Sequence, residues 1–231
     1  MFNTSRASSP ENFEGRSTVP RRGTGFANTA VATACLFLSA AVLSLAESIP
    51  IVNFGFESPP TATAVNGITG WTSSNSVFNS GVWNINADPA GFWNVPAPEG
   101  NQIAFVSEAV NLPETISQTL AATLEPGVYH LTGEVGHPIG DPAVYTVALY
   151  AGTHLLASTN GTGPQGSFAP FDAAFNSAGS PYIGQALRIE LSSDTIQTGF
   201  DDIHLDFVPE PATAGLVALG SLALFSCRRR T

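Results

Sequence analysis

Hydrophobic and polar residues alternate through much of the chain between residues 47 and 207. In Leu187-Arg188-Ile189-Glu190-Leu191, for example, every second residue is apolar. This spacing is typical of a β-strand that turns one face to a core and the other to water. The pattern predicts strands near 50–56, 101–107, 115–121, 127–136, 143–151, 154–159, 168–176, 185–193 and 199–207. Turn signals such as Glu125-Pro126-Gly127 separate them, and no stretch has a convincing helical period. We therefore predict an all-β fold, an antiparallel β-sandwich.

The N-terminal part of the chain has a different pattern. Residues 1–26 are polar and lack a hydrophobic period, which predicts a disordered leader. After Arg21 and Arg22 the chain becomes apolar over 27–46 and ends in small residues. A positive segment, an apolar core and a small-residue end predict a secretory signal peptide that is cleaved after Ala46. The alternative is an N-terminal membrane anchor.

The C-terminal segment, 208–231, has three parts in a fixed order. It contains Pro209-Glu210-Pro211, then an apolar run over 212–227, then Arg228, Arg229 and Arg230. At about 1.5 Å per residue the apolar run spans roughly 24 Å, which is short but sufficient for a transmembrane helix. Positive residues directly after such a helix stay on the cytoplasmic side, so the bulk of the chain is expected outside.

This order of motif, helix and Arg cluster resembles the PEP-CTERM sorting signal of bacterial exported proteins. The resemblance implies that a membrane enzyme of the exosortase type recognises Pro209, Glu210 and Pro211 and removes the tail. The chain would then be anchored in the membrane only transiently before it reaches the envelope, the cell surface or the medium. The alternative is a plain C-terminal tail anchor.

Charge and cysteine content narrow the function of the predicted mature domain, 47–207. The chain has 8 Arg and no Lys against 18 acidic residues, which argues against nucleic acid as a partner. Within 47–207, Arg188 is the only Lys or Arg, whereas there are 15 acidic residues. Such a surface suits calcium and neutral glycans. Cys35 and Cys227 both lie outside this domain, so it is expected to form no disulfide.

The order of the strands in the mature domain carries a second resemblance. The opening IVNFGFE (51–57), the pair Gly70-Trp71, the central segment 116–136 and the closing FDDIHLDF (200–207) resemble galactose-binding-like jelly rolls. Many carbohydrate-binding modules belong to that group. The resemblance implies a jelly-roll sandwich in which the first strand lies near the last.

A structural calcium site is the first candidate site. The resemblance implies that Glu57, after the opening strand, lies towards Asp201 and Asp202 at the start of the closing strand. Calcium prefers several oxygen ligands from carboxylates and carbonyls. By alternation Asp201 shares the core side with Ile203, where a carboxylate needs a cation or hydrogen-bond donors. The alternative is that these acids are solvated residues at strand ends.

A sugar-binding face is the second candidate site. Trp83 and Trp93 lie in a Gly- and Asn-rich segment with Asn84 and Asn94. Aromatic rings stack on sugar rings, and amides both donate and accept hydrogen bonds. The alternative is that the Trp side chains belong to the core, as we expect for Trp71.

No catalytic motif is apparent in the mature domain, which lacks a Gly-x-Ser-x-Gly elbow, a His-Glu-x-x-His pair, a phosphate loop and a cysteine nucleophile. We therefore expect a non-enzymatic surface protein that binds or organises extracellular polysaccharide. One alternative is a purely structural envelope or matrix protein without a specific ligand. Another is a hydrolase, because a catalytic pair of carboxylates that lie far apart in sequence leaves no local motif.

Overall fold

β-Strands account for nearly all the regular structure of the chain. The computed structural model describes residues 45–74, 79–88, 90–108, 113–140, 143–194 and 196–210. The predicted leader, most of the predicted signal peptide and the whole predicted tail helix over 212–227 lie outside these residues. The strands are β1 (Glu47–Ile49), β2 (Ala64–Asn66), β3 (Thr72–Ser73), β4 (Ser80–Trp83), β5 (Ile103–Val106), β6 (Glu114–Thr123), β7 (Gly127–Gly136), β8 (Val144–Ala151), β9 (His154–Thr162), β10 (Phe168–Asn176), β11 (Ala186–Ser193) and β12 (Thr198–Pro209). A 3-10 helix at Ile85–Ala87 is the only helix among the described residues.

The strands form two antiparallel sheets, which we call sheet A and sheet B. Sheet A has the order β10-β7-β12-β5-β4-β2, with β1 also paired to β12. Sheet B has the order β3-β6-β11-β8-β9. The predicted all-β, antiparallel jelly-roll sandwich is therefore confirmed.

The main core lies between the two sheets because each long strand turns alternate residues inward. Leu187, Ile189 and Leu191 on β11 are fully buried, whereas the intervening Arg188 and Glu190 are only half-buried. From sheet A the core receives, among others, Val82, Ala104, Leu131, Val135, Phe200, Ile203 and Leu205. Alternation of this kind is what the sequence pattern predicted for the long strands.

The strand predicted at 50–56 is wrong. The structure has strand β1 only over Glu47–Ile49, and the chain turns between Val52 and Gly55. Pro50 lacks an amide hydrogen for a sheet, and Asn53 and Phe56 have φ angles of 56° and 55°. These left-handed conformations are incompatible with an extended strand. The Asn53 side chain stabilises the turn by donating from Nδ2 to the Ser58 carbonyl oxygen at 2.7 Å.

Strand β12, which carries Asp201 and Asp202, has paired strands on both of its edges. One of its edges pairs with β7. The other edge pairs first with β5, at Thr198–Phe200, and then with β1, at Leu205–Phe207. The opening and closing strands are therefore neighbours, as the jelly-roll resemblance implied.

Candidate functional site

A β-bulge interrupts β12 at the acidic pair Asp201-Asp202. The register with β7 shifts between Asp201 and His204, and Asp202 has a φ of 52°. Bulges often reorient side chains at functional sites, and left-handed non-glycine residues are strained. Because the bulge adds a residue, Phe200 and Ile203 both reach the main core although they are three positions apart. The alternation that placed Asp201 on the side of Ile203 therefore fails here.

Asp201 is nevertheless completely buried, next to the loop that precedes β5. Its Oδ2 accepts a hydrogen bond from the Glu99 amide, and its Oδ1 accepts one from the Asp202 amide, both at 2.8 Å. Burial raises the pKa of this carboxyl to about 8, and the negative charges of Asp202 and Glu99 add to the increase. The hydrogen bonds from the two backbone amides lower the pKa but do not cancel this increase. At neutral pH and without a cation, Asp201 is mostly protonated.

Glu57 accepts hydrogen bonds from the same loop, the one that precedes β5. Its Oε1 accepts hydrogen bonds from the amides of Asn101 at 2.7 Å and Gln102 at 2.6 Å. The buried Gln102 side chain donates to the carbonyl oxygens of Phe56 and Pro59. The structure thus joins Glu57 and Asp201 through one loop, 99–102.

Asp202 faces a different neighbour. Its Oδ1 lies 2.8 Å from Nε2 of His204, and the His204 ring contacts the Phe54 ring with centroids 5.2 Å apart. Glu134 lies opposite Asp201 on β7, and its pKa is raised, first by burial and then by the Asp202 charge. Phe54 and His204 line an open groove of about 400 Å³ with Ser48, Ile49, Pro50, Ile51 and Ile203.

Two of the predicted calcium ligands, Glu57 and Asp201, are thus connected through one loop. Among the described residues, no three His, Cys, Asp or Glu side chains form a group that could hold a metal ion. Asp201 fits the chemistry of a cation ligand, because a cation would offset the cost of burying its charge. Asp202 is turned towards His204 instead. The calcium site remains a prediction.

The predicted sugar-binding tryptophans belong to a small cluster beside β4. Trp93 is only 9% exposed and stacks flat on Phe168, with centroids 4.5 Å apart and an angle of 3°. It packs with Ile85, Ala97 and Ile103. Trp83 is half-buried and meets the edges of Trp93 and Phe92 at 6.2 and 6.0 Å. Phe92 is 43% exposed, so it is the most accessible ring of this cluster. Trp71, as expected, is buried and contacts Phe56.

The two predicted asparagines have different environments. Asn84 is engaged in local structure, since its Nδ2 donates to Thr61 O and its Oδ1 accepts from the Ala87 amide. Asn94 is exposed, and only its backbone amide bonds to Gly166 O among the contacts described. We call the exposed Phe92 and Asn94, together with the half-buried Trp83 that contacts Phe92, the aromatic patch.

The groove at Phe54 and His204 was not predicted from the sequence. Strand alternation gives no signal for it, because the bulge interrupts β12 between Asp201 and His204. Phe54 reaches it from the opening turn, a contact that no local pattern reveals.

The chain belongs to the HpiC1 cyclase-like family. That family, described as HpiC1 cyclase, matches residues 47–206. The PEP-CTERM protein-sorting motif matches residues 207–230, which confirms the predicted sorting signal and marks the chain as an exported, envelope-associated protein. No curated protein matches the sequence.

Solved structures of cyclases from Fischerella sp. TAU are similar to this domain. The Stig cyclase Fisc in complex with (3Z)-3-(1-methyl-2-pyrrolidinylidene)-3H-indole is 28% identical, with a TM-score of 0.62, over 71% of this chain and 99% of the other. A further cyclase structure has 28% identity and a TM-score of 0.64 over 71% of this chain and 98% of the other. The structure of a Fischerella sp. TAU cyclase in complex with 4-(1H-indol-3-yl)butan-2-one has 28% identity and a TM-score of 0.63 over 71% of this chain and 99% of the other.

A membrane-spanning helix is not found in the part of the chain that the structure describes. The predicted helix over 212–227 lies outside that part, as do Pro211, Arg228, Arg229 and Arg230.

Proposed function

We propose that the mature domain is a non-catalytic module of the cell surface that binds extracellular polysaccharide through the aromatic patch. The observation that carries this proposal is the exposed Phe92 ring beside the Trp83 edge and the exposed Asn94. An accessible aromatic ring with an adjacent amide offers both stacking and hydrogen bonding to a sugar. In this proposal Trp93 and Asn84 have a structural role and do not contact the ligand, since Trp93 packs against Trp83 and Asn84 bonds to the local backbone.

The sorting motif and the charge of the domain support the same function. Export to the envelope brings the domain to extracellular polysaccharide. With one Arg against 15 acidic residues in 47–207, the domain favours neutral polymers over acidic ones. We also propose that calcium binds beside Asp201 and stabilises the loop 99–102, with Glu57 as the second anchor of that loop.

Affinity electrophoresis in gels containing neutral polysaccharides tests the proposal. We expect Phe92→Ala with Asn94→Ala to weaken retention at least tenfold while the melting temperature changes little. Ile183→Ala is the matched control, because Ile183 is equally exposed, at 42%, but remote in sequence from the patch. Equal retention of the double variant and the wild type would remove the aromatic patch as the binding site.

A second candidate function is binding or conversion of an indole compound. It is favoured by the similarity to the Fischerella sp. TAU cyclases that are complexed with indole compounds and by the groove that Phe54 and His204 line. Isothermal titration with 4-(1H-indol-3-yl)butan-2-one tests it, with Phe54→Ala as the variant. Val52→Ala is the control, since Val52 is exposed in the same turn but does not line the groove. If the wild type and Val52→Ala release heat of binding and Phe54→Ala does not, indole binding is favoured over polysaccharide binding.

A further inference from the structure

The sorting motif begins inside the folded domain rather than after it. Strand β12 extends to Pro209, which lies opposite Gly127 at the start of β7. The next residue, Glu210, donates its amide hydrogen to the Pro126 carbonyl oxygen at 3.3 Å. Two of the three motif residues are therefore attached to the turn between β6 and β7.

Neighbouring contacts strengthen this attachment. Phe207 packs against Tyr129, with ring centroids 4.7 Å apart, and it also pairs with Glu47 on β1. Residue 127 must be a glycine for this packing, because a Cβ there would collide with the Phe207 ring and the Val208 carbonyl oxygen. The last residues before the motif are thus closely packed on both edges of β12.

A processing enzyme must bind the backbone on either side of the bond that it cleaves. Backbone groups that are already paired in a sheet are not available for that binding. The end of β12 would have to separate from β7 before Pro209 and Glu210 could enter an active site. Strand ends separate more easily than strand centres, so this opening is local.

We propose that the folded domain gates its own processing, because the sorting enzyme of the exosortase type acts only after the end of β12 separates from β7. The inference concerns the sorting motif and does not depend on polysaccharide binding. It makes the rate of tail removal a function of the contacts that hold Val208, Pro209 and Glu210.

A reversible disulfide tests the gate. Val128 and Val208 are direct partners in the β7–β12 register, and cross-strand partners lie close enough for a disulfide. Val128→Cys with Val208→Cys would clamp the end of β12. Thr146→Cys with Ser192→Cys is the control, because these direct partners in the β8–β11 register belong to sheet B, which does not contain β12, and neither residue belongs to a candidate site. Both pairs are made in a full-length background with Cys35→Ser and Cys227→Ser, in cells that contain the sorting enzyme.

Tail removal is followed by mass spectrometry of the C-terminus, with disulfide closure measured in the same sample. We expect the end clamp to slow removal at least tenfold, a reductant to restore it, and the control clamp to leave it within twofold of the unclamped background. Removal at the background rate with the end clamp closed would overturn the gate. Equal slowing by both clamps would also overturn it, because the effect would then be one of overall stability.

Discussion

Glu57 and Asp201 accept hydrogen bonds from the same loop although they lie at opposite ends of the domain sequence. Glu57 accepts from the amides of Asn101 and Gln102, and Asp201 accepts from the amide of Glu99. The loop therefore connects the opening turn to the bulge of the closing strand. Because the pKa of the buried Asp201 carboxyl is raised, the stability of the domain depends on pH.

Replacing Asp201 should change the pH dependence of stability. The pKa of its carboxyl is about 8 in the folded domain, whereas an unperturbed aspartate has a pKa of 3.8. Between these values the folded state keeps a proton that the unfolded state has lost, so stability falls as pH rises from about 4 to 8. The slope is at most about 1.4 kcal/mol per pH unit. Chemical denaturation of the calcium-free domain across this range should show a shallower slope for Asp201→Asn; identical slopes would contradict the burial of this acid.

Calcium should stabilise the domain at pH 8, where it would keep Asp201 ionised without the cost of an unpaired buried charge. At a concentration about 100 times its dissociation constant, a ligand that binds only the folded state adds about 2.7 kcal/mol. We expect the melting temperature to rise with calcium and to fall with a chelator in the wild type. Asp206→Asn, on the same strand, should respond as the wild type does, whereas Asp201→Asn should not respond. A wild type that melts at one temperature in both conditions would exclude the calcium site.

Glu57→Ala should loosen the loop 99–102. The change removes a half-buried carboxylate that accepts two backbone hydrogen bonds. Hydrogen bonds to charged groups contribute about 1.5–3 kcal/mol each, and partial exposure reduces this, so we expect a loss of about 1–3 kcal/mol in the free energy of unfolding. Hydrogen exchange should become faster at the amides of Asn101 and Gln102. Glu47→Ala, an exposed control, should leave that exchange unchanged.

Replacing Trp93 by Ala should lower the stability of the domain far more than replacing Phe92 by Ala. Trp93 is buried against Phe168 and packs over Gly136 and Gly199, so Trp93→Ala should lower stability by about 3–5 kcal/mol. Phe92→Ala removes an exposed ring and should cost less than about 1 kcal/mol. Urea denaturation of the two variants measures both values. A small loss for Trp93→Ala would mean that Trp93 is not a packing residue.

The sequence allowed the long strands to be predicted because their alternation is local. Leu187, Ile189 and Leu191 are buried where the pattern places them. Alternation failed at Asp201, because a bulge adds a residue and breaks the relation between spacing and face. It failed again near Asn53, where left-handed backbone replaces a strand.

The roles of Trp93 and Phe54 could not be predicted because they depend on distant partners. Trp93 is buried since Gly136 and Gly199, on two other strands, leave room for its ring. Phe54 and His204 meet only when β1 and β12 lie side by side. Neither contact has a signal in the residues around it.

Binding of the domain 47–207 to an array of defined glycans is the direct test of polysaccharide binding through the aromatic patch. We expect binding to a restricted set of neutral glycans that Phe92→Ala with Asn94→Ala reduces at least tenfold and Ile183→Ala leaves unchanged. A folded wild-type domain that binds no glycan on the array, or binds equally in the double variant, would contradict it.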